Sequence, residues 1–456
     1  MAKPVLILGA GRSGFGAAKY LMKKGLPCLV SDIKSPSAEL ATRFAEIGAK
    51  VIIGPQESHL LDDISQVVVS PGISSDIKIL QEAKRRQLTI RSEIDLSLAQ
   101  SQLPWIGITG TNGKSTCTHW LNEILQGLNF RSVELGNIGV SPSEILADRQ
   151  DFDFLVVELS SYQIDSSHIL APKISFFTSF SPDHLERHGS LEQYFQAKWK
   201  LLCQTKETGY CLLTEEIWQL SQAFQVSRPK AHLIILRSNG KLTEPQAGVS
   251  YLDLDESNLC LSFQGERVSL SPHRFYQHEF RNVAMCLVAA RLMTKVSWSD
   301  LVRSLTQLTR LPYRFQMIGS WQGKPVINDS KATNVESTLV AVSSLNQECY
   351  LLLGGRAKKE SFEPLMDYKS ILSEILVYGE SQGKIVSDLQ GLQLSRHTDL
   401  AAALKHLNRL MEQRPLSVLF SPACASFDGF ENFEARGLYF NQAVQAKLDP
   451  SVSKTT

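Results

Sequence analysis

Two glycine loops, each set between a short apolar run and a helical stretch, restrict what this chain can fold into more than any other feature. The first, Gly9-Ala10-Gly11-Arg12-Ser13-Gly14, follows Val5–Leu8 and opens a helical stretch over residues 14–24. The second, Gly110-Thr111-Asn112-Gly113-Lys114-Ser115-Thr116, follows Trp105–Thr109. A strand that turns through glycine into a helix opens a βαβ unit. Such units build parallel sheets with helices on both faces. With Asp32 closing the next apolar run, residues 28–31, the first loop has the form in which backbone approaches a diphosphate at a helix N-terminus. NAD and a uridine diphosphate sugar both present that group, and a tight turn with no ligand has the same form, so this loop alone leaves the nucleotide open.

The second loop is more specific. Its backbone N–H groups suit the phosphates of a nucleoside triphosphate, Lys114 offsets charge at the β and γ positions, and the hydroxyl of Ser115 or Thr116 suits Mg²⁺. It departs from the general P-loop spacing in that Ile108 stands where the first glycine would be. ATP is therefore the nucleotide expected to be consumed, and the first loop is left to hold a nucleotide-tagged substrate.

At 456 residues the chain exceeds what one core usually organises. Three α/β blocks are separable: residues 1–95, 96–310 and 311–456. In the first, apolar runs at 5–8, 28–31 and 67–70 alternate with helical stretches at 14–24 and 79–86. The second adds runs at 105–109, 154–158 and 174–179, then a β-like stretch with turns over 232–270. Helical residues 282–293 and 300–308 lead to the third block, whose runs at 326–329, 350–354, 375–378 and 417–421 read as buried strands. The tail from Asp449 is polar and expected to fray.

Lys plus Arg number 47 against 46 Asp plus Glu, which excludes the basic excess that nucleic-acid binding needs. Eight scattered cysteines form no C-x-x-C pair, so neither a zinc ribbon nor a redox pair is indicated. Met1-Ala2-Lys3-Pro4 runs straight into the first strand without the apolar stretch of a signal peptide, and no apolar run is long enough to cross a bilayer. A cytoplasmic protein with no membrane insertion is expected.

One lysine sits oddly. After the 174–179 run comes Ser181-Pro182-Asp183-His184, then a helix whose start is marked by the capping-box pattern Ser190-Leu191-Glu192-Gln193. Leu191, Tyr194, Phe195, Leu201 and Leu202 form its apolar stripe, and Lys198 falls inside it. Either the stem lies on apolar surface while the amine reaches water, or the amine is buried and its pKa lowered. In the second case it can take up CO₂ as a carbamate, an anion able to bind or orient Mg²⁺. Glu158 and His184 are the partners expected for a second metal ion. His184 and His188 do not make a zinc pair, because the glutamate of His-Leu-Glu-Arg-His is displaced by one position from H-E-x-x-H.

Together these motifs resemble the Mur ligase family of ATP-dependent amide ligases in peptidoglycan synthesis, essentially end to end. The resemblance is carried by residues 110–116, Gly-Asn-Ile-Gly at 136–139, Glu-Leu-Ser-Ser-Tyr-Gln at 158–163, Asp183-His184, Ala197-Lys198 and Arg314-Phe315. It continues in Asn-Asp-Ser-Lys-Ala-Thr-Asn at 328–334 and in the Ser-Pro-Ala-Cys-Ala-Ser segment at 421–433, both of which look specific to D-glutamate-adding members. It implies an α/β fold of three domains: an N-terminal Rossmann-like parallel sheet, a central P-loop-type ATPase domain and a C-terminal Rossmann-like α/β domain. The implied reaction joins D-glutamate to UDP-N-acetylmuramoyl-L-alanine through an acyl phosphate, with two Mg²⁺ ions and a carbamate on Lys198.

The implied roles are as follows. Gly110, Thr111, Asn112, Gly113, Lys114, Ser115 and Thr116 bind ATP phosphates, with Asn282, Arg314, Asp329 and Lys331 on adenine, ribose or phosphate. Glu158, His184 and Lys198 join Lys114 in catalysis, and with Ser115 hold metal. Arg12, Ser13, Asp32, Lys34, Gly72, Asn137 and His184 grip the uridine diphosphate sugar. Thr333, Lys358, Ser426, Phe427 and Phe433 form the D-glutamate pocket, Lys358 as the salt-bridge partner of a substrate carboxylate. His184 is the expected base for the incoming amine. A monomer that closes its domains before reaction is expected. One departure stands out: His278-Glu279 replaces the family's His-Asn, an acceptor-only carboxylate in place of an amide, which removes the expected adenine contact from that position. Other amino-acid-adding Mur ligases, folylpolyglutamate synthetase, a nicotinamide dehydrogenase and a non-catalytic nucleotide-binding regulator are the competing readings. The dehydrogenase leaves Gly110–Thr116 idle, and Lys114 together with Lys198 argues against the regulator.

Overall fold

The apolar runs become the inner strands of three sheets in the computed structural model, which describes residues 3–449 apart from Ser75, residues 239–246, Pro272, Arg274, Lys359 and the side chain of Gln277. Part of the expected β-like stretch at 232–270 and the tail beyond Asp449 lie outside the described residues. Asp449 itself is anchored, not frayed: its carboxylate accepts from Ser320 Oγ at 2.8 Å and from Gly323 N at 2.9 Å.

The first sheet has five parallel strands in the order Lys50–Ile53, Cys28–Asp32, Val5–Leu8, Gln66–Val69, Thr89–Ser92. The second has nine, in the order Glu266–Ser269, Cys260–Phe263, Val249–Asp255, His232–Ser238, Tyr210–Thr214, Ile174–Phe177, Trp105–Thr109, Phe154–Glu158, Ser132–Gly136. Its pairings are parallel except around Cys260–Phe263, where the chain turns back on itself twice. The third has six, in the order Gln316–Trp321, Lys324–Asn328, Ser417–Phe420, Cys349–Gly354, Leu372–Tyr378, Leu394–His397; only the first pair is antiparallel.

The central strands are buried throughout because helices cover both faces, which is why they read as unbroken apolar runs. Of six strands without such a run in the sequence reading, Lys50–Ile53, Thr89–Ser92, Ser132–Gly136, Gln316–Trp321 and Leu394–His397 lie at sheet edges and are partly exposed, whereas Tyr210–Thr214 lies inside the nine-stranded sheet and is mostly buried.

The chain forms two compact units. One comprises Met1–Phe180, His184–Phe275 and Glu279–Leu308; the other comprises Ser181–Asp183, Tyr276–His278 and Thr309–Thr456. The first unit therefore carries both the five- and the nine-stranded sheets. They share one hydrophobic core, in which Phe15, Leu21 and Ile94 pack with Leu146, Leu159 and Phe195. Polar ties add to this. Lys19 pairs with Asp148 at 2.5 Å, Arg43 pairs with Glu144, and the buried Glu93 carboxylate accepts from Ser143 N at 2.7 Å. A methyl group on Gly16 would collide with Ser141 Oγ, so the helices Arg12–Lys23 and Pro142–Asp148 touch backbone to side chain.

Candidate active site

In the five-stranded sheet the chain order reverses beside Val5–Leu8, and a crevice of about 410 Å³ opens there at the carboxyl ends of the strands. Arg12, Ser13 and Asp32 line it, together with Ser70, Gly72 and Ile73 in the wall that follows Gln66–Val69. Asp32 is tied into the loop: its carboxylate accepts from Ala10 N at 2.7 Å and from Lys34 N at 3.0 Å. Gly9 has φ +103 and leaves no room for a Cβ beside Ser70, so the loop passes close under that wall. Lys34 is exposed and does not line the crevice, and Asn137 lies elsewhere, on Glu158.

The second glycine loop is braced from the strand Ile174–Phe177. Thr178 Oγ1 donates to Asn112 O at 2.6 Å, Ser179 Oγ donates to the same oxygen at 3.0 Å, and Thr111 N donates to Ser179 O at 2.8 Å. Gly110, at φ +151, packs so closely that a Cβ would sit 2.0 Å from Thr178 Oγ1. Gly113 caps the helix Lys114–Gly127 in left-handed backbone, and the Asn282 side chain lies beside it. Lys114 folds over the loop, donating to Gly110 O at 2.9 Å and Thr111 O at 2.7 Å. Ser115 is buried in the first turn of that helix and Thr116 is half-buried.

Lys198 does not reach for water. It is 1% exposed, its Nζ donates to Gly110 O at 2.6 Å, and it lies 4.7 Å from the centre of the Tyr194 ring. Two ammonium groups, from Lys114 and Lys198, thus converge on one loop carbonyl. Tyr194, which the sequence pattern hides in an apolar stripe, places its hydroxyl 3.3 Å from Thr111 Oγ1. The helix Leu191–Cys203 starts where expected, with Ser190 Oγ accepting from Gln193 N at 3.1 Å.

Glu158 is 1% exposed at the end of its strand; Oε1 accepts from Asn137 Nδ2 at 2.7 Å while Oε2 is buried with no hydrogen-bond partner. His184 takes left-handed backbone, φ +52, just before the helix Leu185–His188, and its ring lies 5.1 Å from that of Tyr162. His188 bonds Ser161 Oγ at 2.9 Å; burial pushes its imidazole below the usual range, with Lys198, His184 and Arg187 adding repulsion against the opposing charge of Asp165.

Among the described residues no group of three His, Cys, Asp or Glu side chains is set to hold a metal ion. Mg²⁺ does not need one, since it binds through one or two carboxylates together with substrate phosphates and water. The orphaned Glu158 oxygen and the Ser115 hydroxyl are a donor set of that kind.

The second unit holds the remaining expected residues. Asp329 accepts from Phe315 N at 3.0 Å and Ser421 Oγ at 2.7 Å; burial drives its pKa up to about 7 despite these bonds and the nearby Arg314 and Arg436. The Lys331 ammonium lies 4.0 Å from the centre of the Phe433 ring. Thr333 precedes Asn334, whose side chain caps the helix Val335–Leu345. Lys358, expected to face a substrate carboxylate, pairs with Asp183 at 2.5 Å. Ser426 is buried and Phe427 is 64% exposed. Arg436 escaped the sequence reading: wholly buried, it donates to Ser330 Oγ at 3.1 Å, Ser330 O at 2.8 Å and Cys424 O at 2.9 Å, holding the 328–334 and 421–433 segments together. Glu279, in the first unit, is buried.

A diphosphate-type crevice and a triphosphate-type loop on which two lysines converge, in one unit of α/β sheets, define a nucleotide-using α/β protein. Residues 3–92 match the description "Mur ligase MurD-like, N-terminal domain", and residues 108–290 match "Mur ligase middle domain". The chain belongs to the Mur ligase family. Two relatives carry the name UDP-N-acetylmuramoylalanine--D-glutamate ligase. That of Synechococcus sp. (strain JA-2-3B'a(2-13)) is 33% identical, over 97% of this chain and 99% of its own length. That of Staphylococcus carnosus (strain TM300) is 30% identical, over 98% and 97%. The fold is shared with MurF from Acinetobacter baumannii, at TM-score 0.60 and 17% identity, covering 95% of this chain and 93% of that one. It is shared also with the UDP-N-acetylmuramate-alanine ligase MurC from Thermotoga maritima, at TM-score 0.59 and 16% identity, covering 97% and 99%.

Proposed function

We propose that this protein joins D-glutamate to UDP-N-acetylmuramoyl-L-alanine at the expense of ATP, in peptidoglycan synthesis. The carrier's carboxylate attacks the γ-phosphorus of ATP, ADP leaves, and an acyl phosphate forms. The amine of D-glutamate then displaces phosphate to leave the amide. The observation that carries this reading is the convergence of Lys114 and the buried Lys198 amine on Gly110 O, which puts a cation for phosphate and an amine open to carbamylation at one loop.

In this reading the crevice residues Arg12, Ser13, Asp32 and Gly72 dock the uridine diphosphate, with Lys34 at its rim. Gly110–116 backbone and Lys114 hold the phosphates, with Asn282, Arg314, Asp329 and Lys331 as further nucleotide contacts. Asn137 fixes the rotamer of Glu158 by its hydrogen bond. Ser115, Glu158, His184 and Lys198, carbamylated by CO₂, would hold Mg²⁺, whose chemistry is neutralisation of the charge on the transferred phosphoryl group. His184 takes the proton that the incoming ammonium must lose. Thr333, Lys358, Ser426, Phe427 and Phe433 receive D-glutamate, with Lys358 exchanging Asp183 for a substrate carboxylate. The protein acts as a cytoplasmic monomer; no helix among the described residues is long and apolar enough to cross a membrane.

The test is ADP release by the full chain with ATP, Mg²⁺ and the carrier, with and without each amino acid. Turnover with D-glutamate and none with L-alanine is expected. Turnover with L-alanine alone would overturn the assignment.

A further inference from the structure

We propose that Arg187 is a positioning residue that couples occupancy of the diphosphate crevice to the placement of His184; this rests on reading the crevice as the carrier's docking site. Arg187 donates from Nη2 to Ile73 O at 3.1 Å, a contact between residues 114 apart in the chain. Ile73 belongs to the crevice wall. The other face of the guanidinium's surroundings is aromatic: its carbon lies 5.1 Å from the Tyr162 ring centre. That ring stacks on His188 at 5.5 Å and 24° and lies 5.1 Å from His184. One side chain thus touches both the wall of the crevice and the aromatic group against which the histidines rest.

The segment needs such a tie. Leu185–His188 is a helix of four residues, far below the length at which a helix sustains itself. His184 before it holds left-handed backbone at φ +52, a conformation that costs of order 1 kcal/mol without glycine. Within the segment His184 Nδ1 lies 3.6 Å from Glu186 and His184 O accepts from Arg187 N and His188 N at 3.1 Å; the Arg187 bond to Ile73 O adds a hold from outside it. A carrier seated against that wall is thereby held in register with the segment that carries His184, a constraint felt in the reaction step and not in nucleotide affinity. Lysine lacks the planar group that both donates along its edge and faces a ring.

The experiment uses the full chain with three readouts: UDP affinity by calorimetry, ADP release with carrier and D-glutamate, and melting temperature. Arg187→Ala is expected to lower kcat about tenfold, the worth of one charge-assisted contact, with UDP affinity within about twofold, a resolvable difference of binding free energy. Arg187→Lys should recover only part of the loss. Tyr162→Leu combined with Arg187→Ala should be no slower than the slower single variant, because both break one tie. Unchanged kcat in Arg187→Ala would overturn the proposal, as would a loss of UDP affinity equal to the loss of rate, which makes Arg187 a plain binding group. If Arg187→Ala melts early, Arg187→Lys and Tyr162→Leu carry the test. A parent chain that releases no ADP with carrier and D-glutamate fails the underlying function, a result distinct from any change at Arg187.

Discussion

Glu93 is a buried carboxylic acid at the joint between the two sheets of the first unit, and it should make that unit's stability fall as pH rises. Its carboxylate accepts from Ser143 N at 2.7 Å, and burial drives its pKa from 4.5 up to about 7, against the opposing effect of the bonds from Ser143 and Ser141. A carboxyl group whose folded pKa is raised favours the folded state fully below its unfolded pKa. That contribution is lost as pH climbs through the folded value. With 4.5 unfolded and about 7 folded, the difference between pH 5 and pH 8 is about 2.5 kcal/mol, an order-of-magnitude figure at 1.36 kcal/mol per unit. Glu93→Gln keeps a carbonyl for Ser143 N and removes the titration. Urea unfolding of parent and variant at both pH values isolates the term, because the titration of Asp329 and of every other group is common to both proteins. The variant should gain on the parent by about 2.5 kcal/mol on going from pH 5 to pH 8. An equal stability difference at the two pH values would refute the reasoning.

Further outcomes are expected elsewhere. Lys198→Ala should abolish ADP release, and short carboxylic acids should restore part of it if a carbamate is the working form; no restoration by any acid removes the carbamate. Gly110→Ala forces a Cβ to 2.0 Å from Thr178 Oγ1 at φ +151, so ATP affinity by nucleotide titration should fall at least about a hundredfold while UDP affinity holds. Arg436→Leu leaves Ser330 and Cys424 oxygens without donors in a sealed interior and should destabilise the second unit by about 3 kcal/mol in thermal unfolding.

The parts legible in the sequence are those made by neighbours along the chain. Both glycine loops, the buried runs they follow and the helix start at Ser190 depend on turn chemistry, caps and periodicity, and each stands where expected. Lys198 was legible as an anomaly, a charge in an apolar stripe, but whether its amine turned inward was not. That depends on Gly110 O, 88 residues away, supplying the acceptor that makes burial tolerable. Tyr194 and Arg436 gave no signal, because a tyrosine in an apolar stripe and an arginine in a helix look ordinary until their partners are known. Lys358 was legible as a cation, and its pairing with Asp183 was not.

The same division runs through the whole molecule. Local sequence determined that there would be parallel α/β sheets, where two phosphate-binding turns would lie and which family the motifs resemble, since backbone sterics and hydrogen bonding within a few residues decide those features. Tertiary structure alone decided that the first two sheets share one core, that Asn137 bonds Glu158, and that Arg187 meets Ile73. Such contacts join residues tens to more than a hundred positions apart. A side chain carries no mark of its distant partner; burial and unsatisfied polar groups select that partner only when the sheets have assembled.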